Sequence, residues 1–374
     1  MANQIYSYLK SHEREIFDDL KELVRAEATS ADLEELKTVR AVLIRLIRER
    51  TGVTPEVHRT PGGHDPLSFA WGKGEKDILL VGHFDTVIPI GSYALREEDG
   101  KLYGAGVLDM KAGLVSILWI VKAYRDLGIA PAKRLKVLMN CDEEIGSADS
   151  APLIMEMARD NSAAALILEP CASSGDLKTG RKGGGGFTVK TYGKASHAGL
   201  EHKLGINAIE ELAREIQYIH SLTDYEKGST LSADVVTGGT KRNVVADFAQ
   251  ADVDFRYSSP AEYERIRQLI ADYQPTVAGA TREVVFGKCV PPMEQTPENL
   301  KLFALAEEAG KEVGLAFSHV FVGGISDGNP IAPYLPILDG LGPHGDGAHT
   351  LTEFIYIDQL IPRIAMVGNL ILKI

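Results

Sequence analysis

Cysteine is scarce: Cys141, Cys171 and Cys289 are the only three in 374 residues. They are odd in number, widely spaced and never CxxC, which excludes a disulfide framework and a thiol-based zinc cluster and fits a reducing compartment. Long apolar runs are missing too. The longest, near Leu114–Val121, is far too short to span a bilayer. The N-terminal stretch MANQIYSYLKSHEREIFDDLKELV is charged throughout and lacks the apolar core of a secretory signal. Positive charge is in deficit: 40 Lys and Arg face 52 Asp and Glu, for a net charge of −12. A partner bound through its phosphate backbone is therefore disfavoured, because such binding needs clustered cations. These absences together describe a cytoplasmic protein with no membrane and no nucleic-acid partner. With 44% hydrophobic and 25% charged residues, the rest is ordinary for a folded chain long enough for two domains.

Apolar residues at helical spacing predict one amphipathic helix over about Gln4–Val24 and another over about Leu33–Glu49. Strands are expected at Pro55–Arg59, Leu67–Trp71 and Asp77–Gly82, the last continuously apolar as in a central parallel strand. A helix at Ala112–Leu127, a strand at Leu135–Asn140, a further helix and a strand at Ala164–Leu168 continue the alternation, which argues an α/β layered domain around a mostly parallel sheet. Near Gly180 the pattern changes. Strand Phe187–Tyr192, helix Ile206–Ser221, strands Ser229–Thr237 and Asn243–Tyr257, helix Ala261–Tyr273 and strand Arg282–Gly287 follow the β-α-β-β-α-β order of a ferredoxin-like unit. Pro291-Pro292 marks the return to helix Pro297–Val313, strand Ile337–Leu341 and helix Ile357–Leu372. The expected organisation is a first domain in two parts, 1–179 and 292–374, interrupted by an inserted domain at 180–291.

Five stretches end apolar runs with polar residues: LLVGHFDTV (His83, Asp85), GAGVLDMKAG (Asp109), LKVLMNCDEEIGS (Asp142, Glu143, Glu144), LILEP (Glu169) and LGPHGDGAHTLTE (His344, Asp346, His349, Glu353). Singly, each has a plainer reading: a core histidine, a turn acid, helix-capping acids, a flexible glycine turn. Together they set two histidines and three or four carboxylates at strand ends, where ligands of parallel sheets bind. That is the nitrogen and oxygen set zinc uses. Asp85, two residues beyond His83, is placed to take the other imidazole N–H and fix the ring. The glycine runs Gly183–Gly186 and Gly323–Gly328 lack the Lys-Ser/Thr of a phosphate loop.

In the order GHFDTV, GAGVLDMKAG, DEEIGS, LEP, SHAG and GAHTLTE, the chain resembles, over essentially its whole length, the di-zinc metallopeptidases of carboxypeptidase G, the acetylornithine and succinyl-diaminopimelate deacylases and the aminoacylases. The carboxypeptidase G group is the nearest of these. The resemblance implies a three-layer zinc-peptidase catalytic domain with an inserted ferredoxin-like α+β domain serving as dimerisation surface and lid. It implies two Zn²⁺ per subunit, with Co²⁺ as a substitute: His83 and Glu169 on one, Glu144 and His349 on the other, Asp109 bridging both. His344 is the rival to His349. Asp85 would orient His83, Glu143 would be general base and acid, and the peptide after Asp109 would be cis. Two zincs against three carboxylates leave the centre about one unit positive. His197, in SHAG, would stabilise the oxyanion in the partner subunit's site, and Asn243, Arg256, Gly324 and Ser326 would contact substrate. Arg256 alone also reads as half of a strand-end ion pair. The implied activity is release of a C-terminal glutamate-like amino acid from a small peptide or N-acyl conjugate, by a homodimer; Glu169, where deacylase relatives can carry Asp, leans toward the peptidase side. A deacylase or aminoacylase of the same chemistry is the near rival, and a catalytically silent amino-acid-binding relative is the rival of another kind.

Overall fold

The computed structural model describes residues 2–374, with side chains from Gln4 onward. The chain divides into two compact units. One runs up to Gly180 and resumes over Gln295–Val322 and Ser326–Ile374; the other comprises Arg181–Glu294 with Gly323–Ile325.

The first unit is built on a six-stranded sheet. Its order is Glu56–Val57, Leu67–Trp71, Arg134–Asn140, Asp77–His83, Ser162–Ile167, Ile337–Leu338. The last four strands run parallel to one another, and Leu67–Trp71 is antiparallel to both its neighbours, Glu56–Val57 and Arg134–Asn140. Every residue of Asp77–His83 is buried, as its unbroken apolar run requires of a strand covered on both faces. From Asp77–His83 the chain crosses through helix Ala112–Leu127 to the neighbour on one side. From Arg134–Asn140 it crosses back through helix Ala151–Arg159 to the neighbour on the other. Parallel crossovers are right-handed, so opposite steps place the two helices on opposite faces, and a three-layer sandwich results. The same reversal opens a crevice at the carboxyl ends of these strands.

Some elements depart from the sequence reading. The first helix is two, Ala2–Ser11 and Glu13–Arg25, broken at His12. There the ring Nδ1 sits 2.9 Å from the Tyr8 carbonyl, within the turn where the ladder changes direction. The further helix expected after Leu135–Asn140 starts at Ala151; before it, Glu143–Ile145 form a single 3₁₀ turn ended by positive φ at Gly146 (90°) and Ser147 (52°). Strand Ile337–Leu338 stops early because Gly340 turns with φ 74°. A small sheet of Arg96–Glu98, Lys101–Tyr103, Phe354–Tyr356 and Gly345–Asp346, too short to show as periodicity, was not foreseen.

The second unit is a four-stranded antiparallel sheet ordered Thr230–Gly238, Phe248–Tyr257, Gly183–Tyr192, Thr281–Phe286. With helices Ala208–Ser221 and Pro260–Asp272 it completes the ferredoxin-like succession. Gly183–Gly186 lie inside a strand rather than leading into it. A Cβ at Gly185 would come 2.5 Å from Cys289 Sγ, and one at Gly183 2.7 Å from Val290 O, so the neighbouring segment packs where side chains would stand. Residues 243–247 are not strand; Val244 instead pairs with His197 in an isolated antiparallel bridge.

Candidate metal centre

The site lies where three parallel strands end. His83 closes its strand opposite Asn140. Two residues beyond Asn140 begins Asp142–Glu144, and two beyond Ile167 comes Glu169. Asp109 comes from the short turn Val107–Lys111 ahead of helix Ala112–Leu127, and its peptide to Met110 is cis. His349 sits in the loop before Phe354–Tyr356 with φ 65°.

Two groups of potential ligands form: His83, Asp109 and Glu169; and Asp109, Glu144 and His349. His83 Nε2 lies 3.1 Å from Asp109 Oδ1 and 3.4 Å from Glu169 Oε1. His349 Nε2 lies 3.3 Å from Asp109 Oδ2 and 3.0 Å from Glu144 Oε2. Asp109 thus turns one oxygen to each histidine. His344 is elsewhere, its Nε2 3.0 Å from the Ser173 carbonyl and its ring against Tyr356.

These separations test whether a cation fits. Tetrahedral zinc with nitrogen and oxygen ligands near 2.0 Å sets neighbouring ligand atoms about 3.3 Å apart, the spacing found. His83 Nδ1 hydrogen-bonds the Asp85 main-chain carbonyl at 3.1 Å and lies 3.3 Å from Asp85 Oδ1. With its proton there, the neutral ring turns a bare lone pair at Nε2 toward two carboxylate oxygens. Three acceptors converging on one point require a cation. Glu144 Oε1, buried and without a hydrogen-bond partner among the described residues, adds to the unbalanced charge. Without a metal the histidines take up the imbalance. Burial opposes a charge on His83, but contacts with Asp109, Asp85 and Glu169 raise its pKa well above the ordinary value. Hydrogen bonds to the carboxylates of Asp109 and Glu144 push His349 up to about 10.

Neighbouring residues hold these groups in place. Asp85 Oδ2 accepts from Ser30 Oγ at 2.7 Å and from the Glu144 N–H at 3.2 Å. Asp142 accepts the N–H groups of Asp149 and Ser150, folding its loop back on itself. Glu143 Oε2 lies 4.0 Å from His83 Nε2, and burial raises the Glu143 pKa well above the usual carboxylate range. Asp327, which the motif reading passed over inside GGISDG, is buried and accepts from Ser147 Oγ at 2.6 Å and Asn140 Nδ2 at 2.8 Å. Burial lifts it to about 7. Glu353, noted in the last motif without a role, accepts three main-chain N–H groups of residues 106–109. Ser30 had no motif to reveal it.

The residues read as substrate contacts are placed differently. Ser326 is buried; its hydroxyl donates to Asp339 at 2.7 Å and accepts from the Gly328 N–H, so it shapes its own loop. The Gly324 carbonyl accepts from Arg181 at 3.2 Å. In the second unit Arg256 pairs with Asp254 at 3.0 Å, the ion-pair reading of that residue. Asn243 is exposed, and its carbonyl accepts the Ala198 N–H. His197 is exposed as well, its Nδ1 accepting from the N–H groups of Gly199 and Leu200 at 3.2 Å.

Among the described residues no helix is long and apolar enough to cross a membrane. The family model for peptidase family M20/M25/M40 matches residues 79–373. Carboxypeptidase G2 of Pseudomonas sp. is 27% identical over 385 residues, covering 100% of this chain and 92% of that one. A succinyl-diaminopimelate desuccinylase of Verminephrobacter eiseniae is 25% identical over 329 residues, covering 81% and 79%. Among solved structures, aminopeptidase PepT from Bacillus cereus shares the fold with a TM-score of 0.84 at 22% identity, covering 96% of this chain and 98% of that one. An M20 family metallo-carboxypeptidase from Sulfolobus solfataricus superposes with a TM-score of 0.74 at 18% identity over the same shares. The chain therefore belongs to peptidase family M20/M25/M40, a metallopeptidase or amidohydrolase related to carboxypeptidase G2 and to the desuccinylases.

Proposed function

We propose that this enzyme is a zinc-dependent metallo-carboxypeptidase that releases a C-terminal, glutamate-like amino acid from a small peptide or N-acyl conjugate. The observation that carries it is the division of the Asp109 carboxylate between two histidines, each also facing one glutamate. On this reading His83 and Glu169 hold one zinc, Glu144 and His349 the other, and Asp109 both. Bound there, the two ions supply Lewis acidity toward a carbonyl and acidity toward a water.

The chain's own residues do the rest. Glu143, close to His83 and outside both ligand groups, takes a proton from the attacking water and hands it to the leaving amine. Its environment favours this shuttle, since burial holds its proton more tightly than an ordinary carboxylate does. Asp85 keeps the His83 ring in one tautomer. The two N–H donors at His197 Nδ1 leave that ring's proton on Nε2, a donor suited to a developing oxyanion. We read His197 as acting across a homodimer, with Asn243, Arg256, Gly324 and Ser326 about the substrate. Arg256 offers a fork matched to a carboxylate. Its pairing with Asp254 means a substrate carboxylate must compete with that side chain. The hydroxyl of Ser326 is already engaged, which leaves its loop geometry as its contribution.

The likeness to desuccinylases favours a second reading, an N-acyl amino acid deacylase. A panel of acyl- and peptidyl-amino acids, incubated with zinc-loaded enzyme and read by mass spectrometry, separates the two. Peptidyl- and aroyl-glutamates should turn over faster than N-acetyl or N-succinyl amino acids, and free acids faster than their amides. Preference for small N-acyl groups would favour the deacylase; no turnover of any member would leave a silent binder.

A further inference from the structure

We propose that Glu353 is a positioning residue that shapes the Asp109 loop before any metal arrives and couples it to the loop bearing His349. The inference rests on the reading of Asp109 and His349 as zinc ligands. Glu353 is 1% exposed. Its Oε2 accepts the Gly106 N–H at 3.1 Å; its Oε1 accepts the N–H groups of Leu108 at 2.7 Å and Asp109 at 3.0 Å. Three amides aimed at one point need an acceptor with two oxygens and several lone pairs, which only a carboxylate supplies. One of the three belongs to Asp109 itself, whose two oxygens face the two histidines.

Glu353 is rigid from its own side. Its carbonyl accepts the Tyr93 hydroxyl at 2.9 Å. The strand that follows, Phe354–Tyr356, pairs with Lys101–Tyr103. Four residues upstream is His349, and the Glu353 N–H returns to the Thr350 carbonyl at 3.3 Å, closing the turn between them. One side chain thus ties two ligand-bearing loops far apart in sequence.

The test uses Glu353→Gln, which keeps the volume but sets an NH₂ group against N–H donors. Wild type and variant are stripped of metal, and zinc affinity is measured by competition with a chromophoric chelator at fixed pH. The variant should bind zinc about 10–100-fold more weakly, as outer residues of metal sites do when altered. Equal affinity, even with lowered stability, would reduce Glu353 to a structural residue and overturn the inference. Amide exchange of stripped wild type is the second measurement, independent of whether the variant folds. Leu108 and Asp109 amides should exchange slowly before zinc is added. Fast exchange that slows only with zinc would show that the metal, not Glu353, shapes the loop. If wild type binds no zinc, the two-metal reading fails and this inference with it; if wild type binds and the variant binds as tightly, only this inference fails.

Discussion

The Asp85 carboxylate accepts the main-chain N–H of Glu144 at 3.2 Å, while the same residue holds the His83 ring through its carbonyl. One aspartate therefore braces a proposed ligand of each zinc. Asp85→Ala should lower zinc affinity at both positions, by about 10–100-fold. Ser30→Ala, which removes only the hydroxyl donor to Asp85, should reproduce a fraction of that loss. Metal content after dialysis against a graded chelator series gives the answer; loss confined to one zinc would mean Asp85 serves His83 alone.

Glu143 stands outside both ligand groups. Glu143→Gln should keep its metal and lose at least about 10²-fold in kcat, the usual worth of general acid–base catalysis. Asp109→Asn should lose metal as well as activity. Wild-type kcat in a metal-replete Glu143→Gln enzyme would remove Glu143 from the mechanism.

Metal removal should reverse the pH dependence of stability. In the stripped protein burial raises Asp327 and Glu353 to about 7, and contacts with Asp109 and Glu144 raise His349 to about 10. For such groups the folded state binds more protons than the unfolded chain, so each contributes stability at low pH that is lost as pH rises. For the two acids the window runs from about pH 4 to about 7, and for His349 from about 6.5 to about 10. Zinc needs its ligands deprotonated and stabilises more as pH rises. The zinc-induced shift in Tm should therefore grow between about pH 5.5 and 8, as differential scanning fluorimetry can record. A constant or shrinking shift would contradict the assigned ligands.

His197→Ala should cost about 2.7–4 kcal/mol of transition-state stabilisation if its Nε2–H serves the oxyanion. If it serves the partner's site, mixing His197→Ala with Glu143→Gln subunits should restore part of the activity, since one site of a mixed dimer then has both residues. A mixture proven to have exchanged subunits yet still inactive would place each site within one chain.

The motif-bearing strand ends were legible because each couples a buried apolar run to a polar terminus, as Asp77–His83 does. Glu353 was visible as a residue but not in its role, because its partners are main-chain amides between 244 and 247 positions away and leave no pattern. The strand expected from Phe187 begins at Gly183, because four glycines carry no side-chain alternation to read, and the close approach of Cys289 and Val290 explains why glycine stands there. The engagement of Ser326 with Asp339 was equally silent, because a hydroxyl in a glycine-rich loop reads the same whether it faces a ligand or its own fold.

The chain's first helix, Ala2–Ser11, packs against its last, Ile357–Lys373; a Cβ at Gly368 would meet Ile5 at 3.4 Å. Strand Ile337–Leu338 likewise joins Ser162–Ile167 only after the whole inserted unit has been traversed. On a ribosome the four-stranded unit has all its strands once Phe286 emerges. The unit with the candidate metal ligands waits with an open sheet edge and an uncovered helix until Ile357–Lys373 has emerged. Its exposure to aggregation and to proteases during that interval is set by connectivity, so slowing elongation through the final helix should lower soluble yield more than slowing it through the insert.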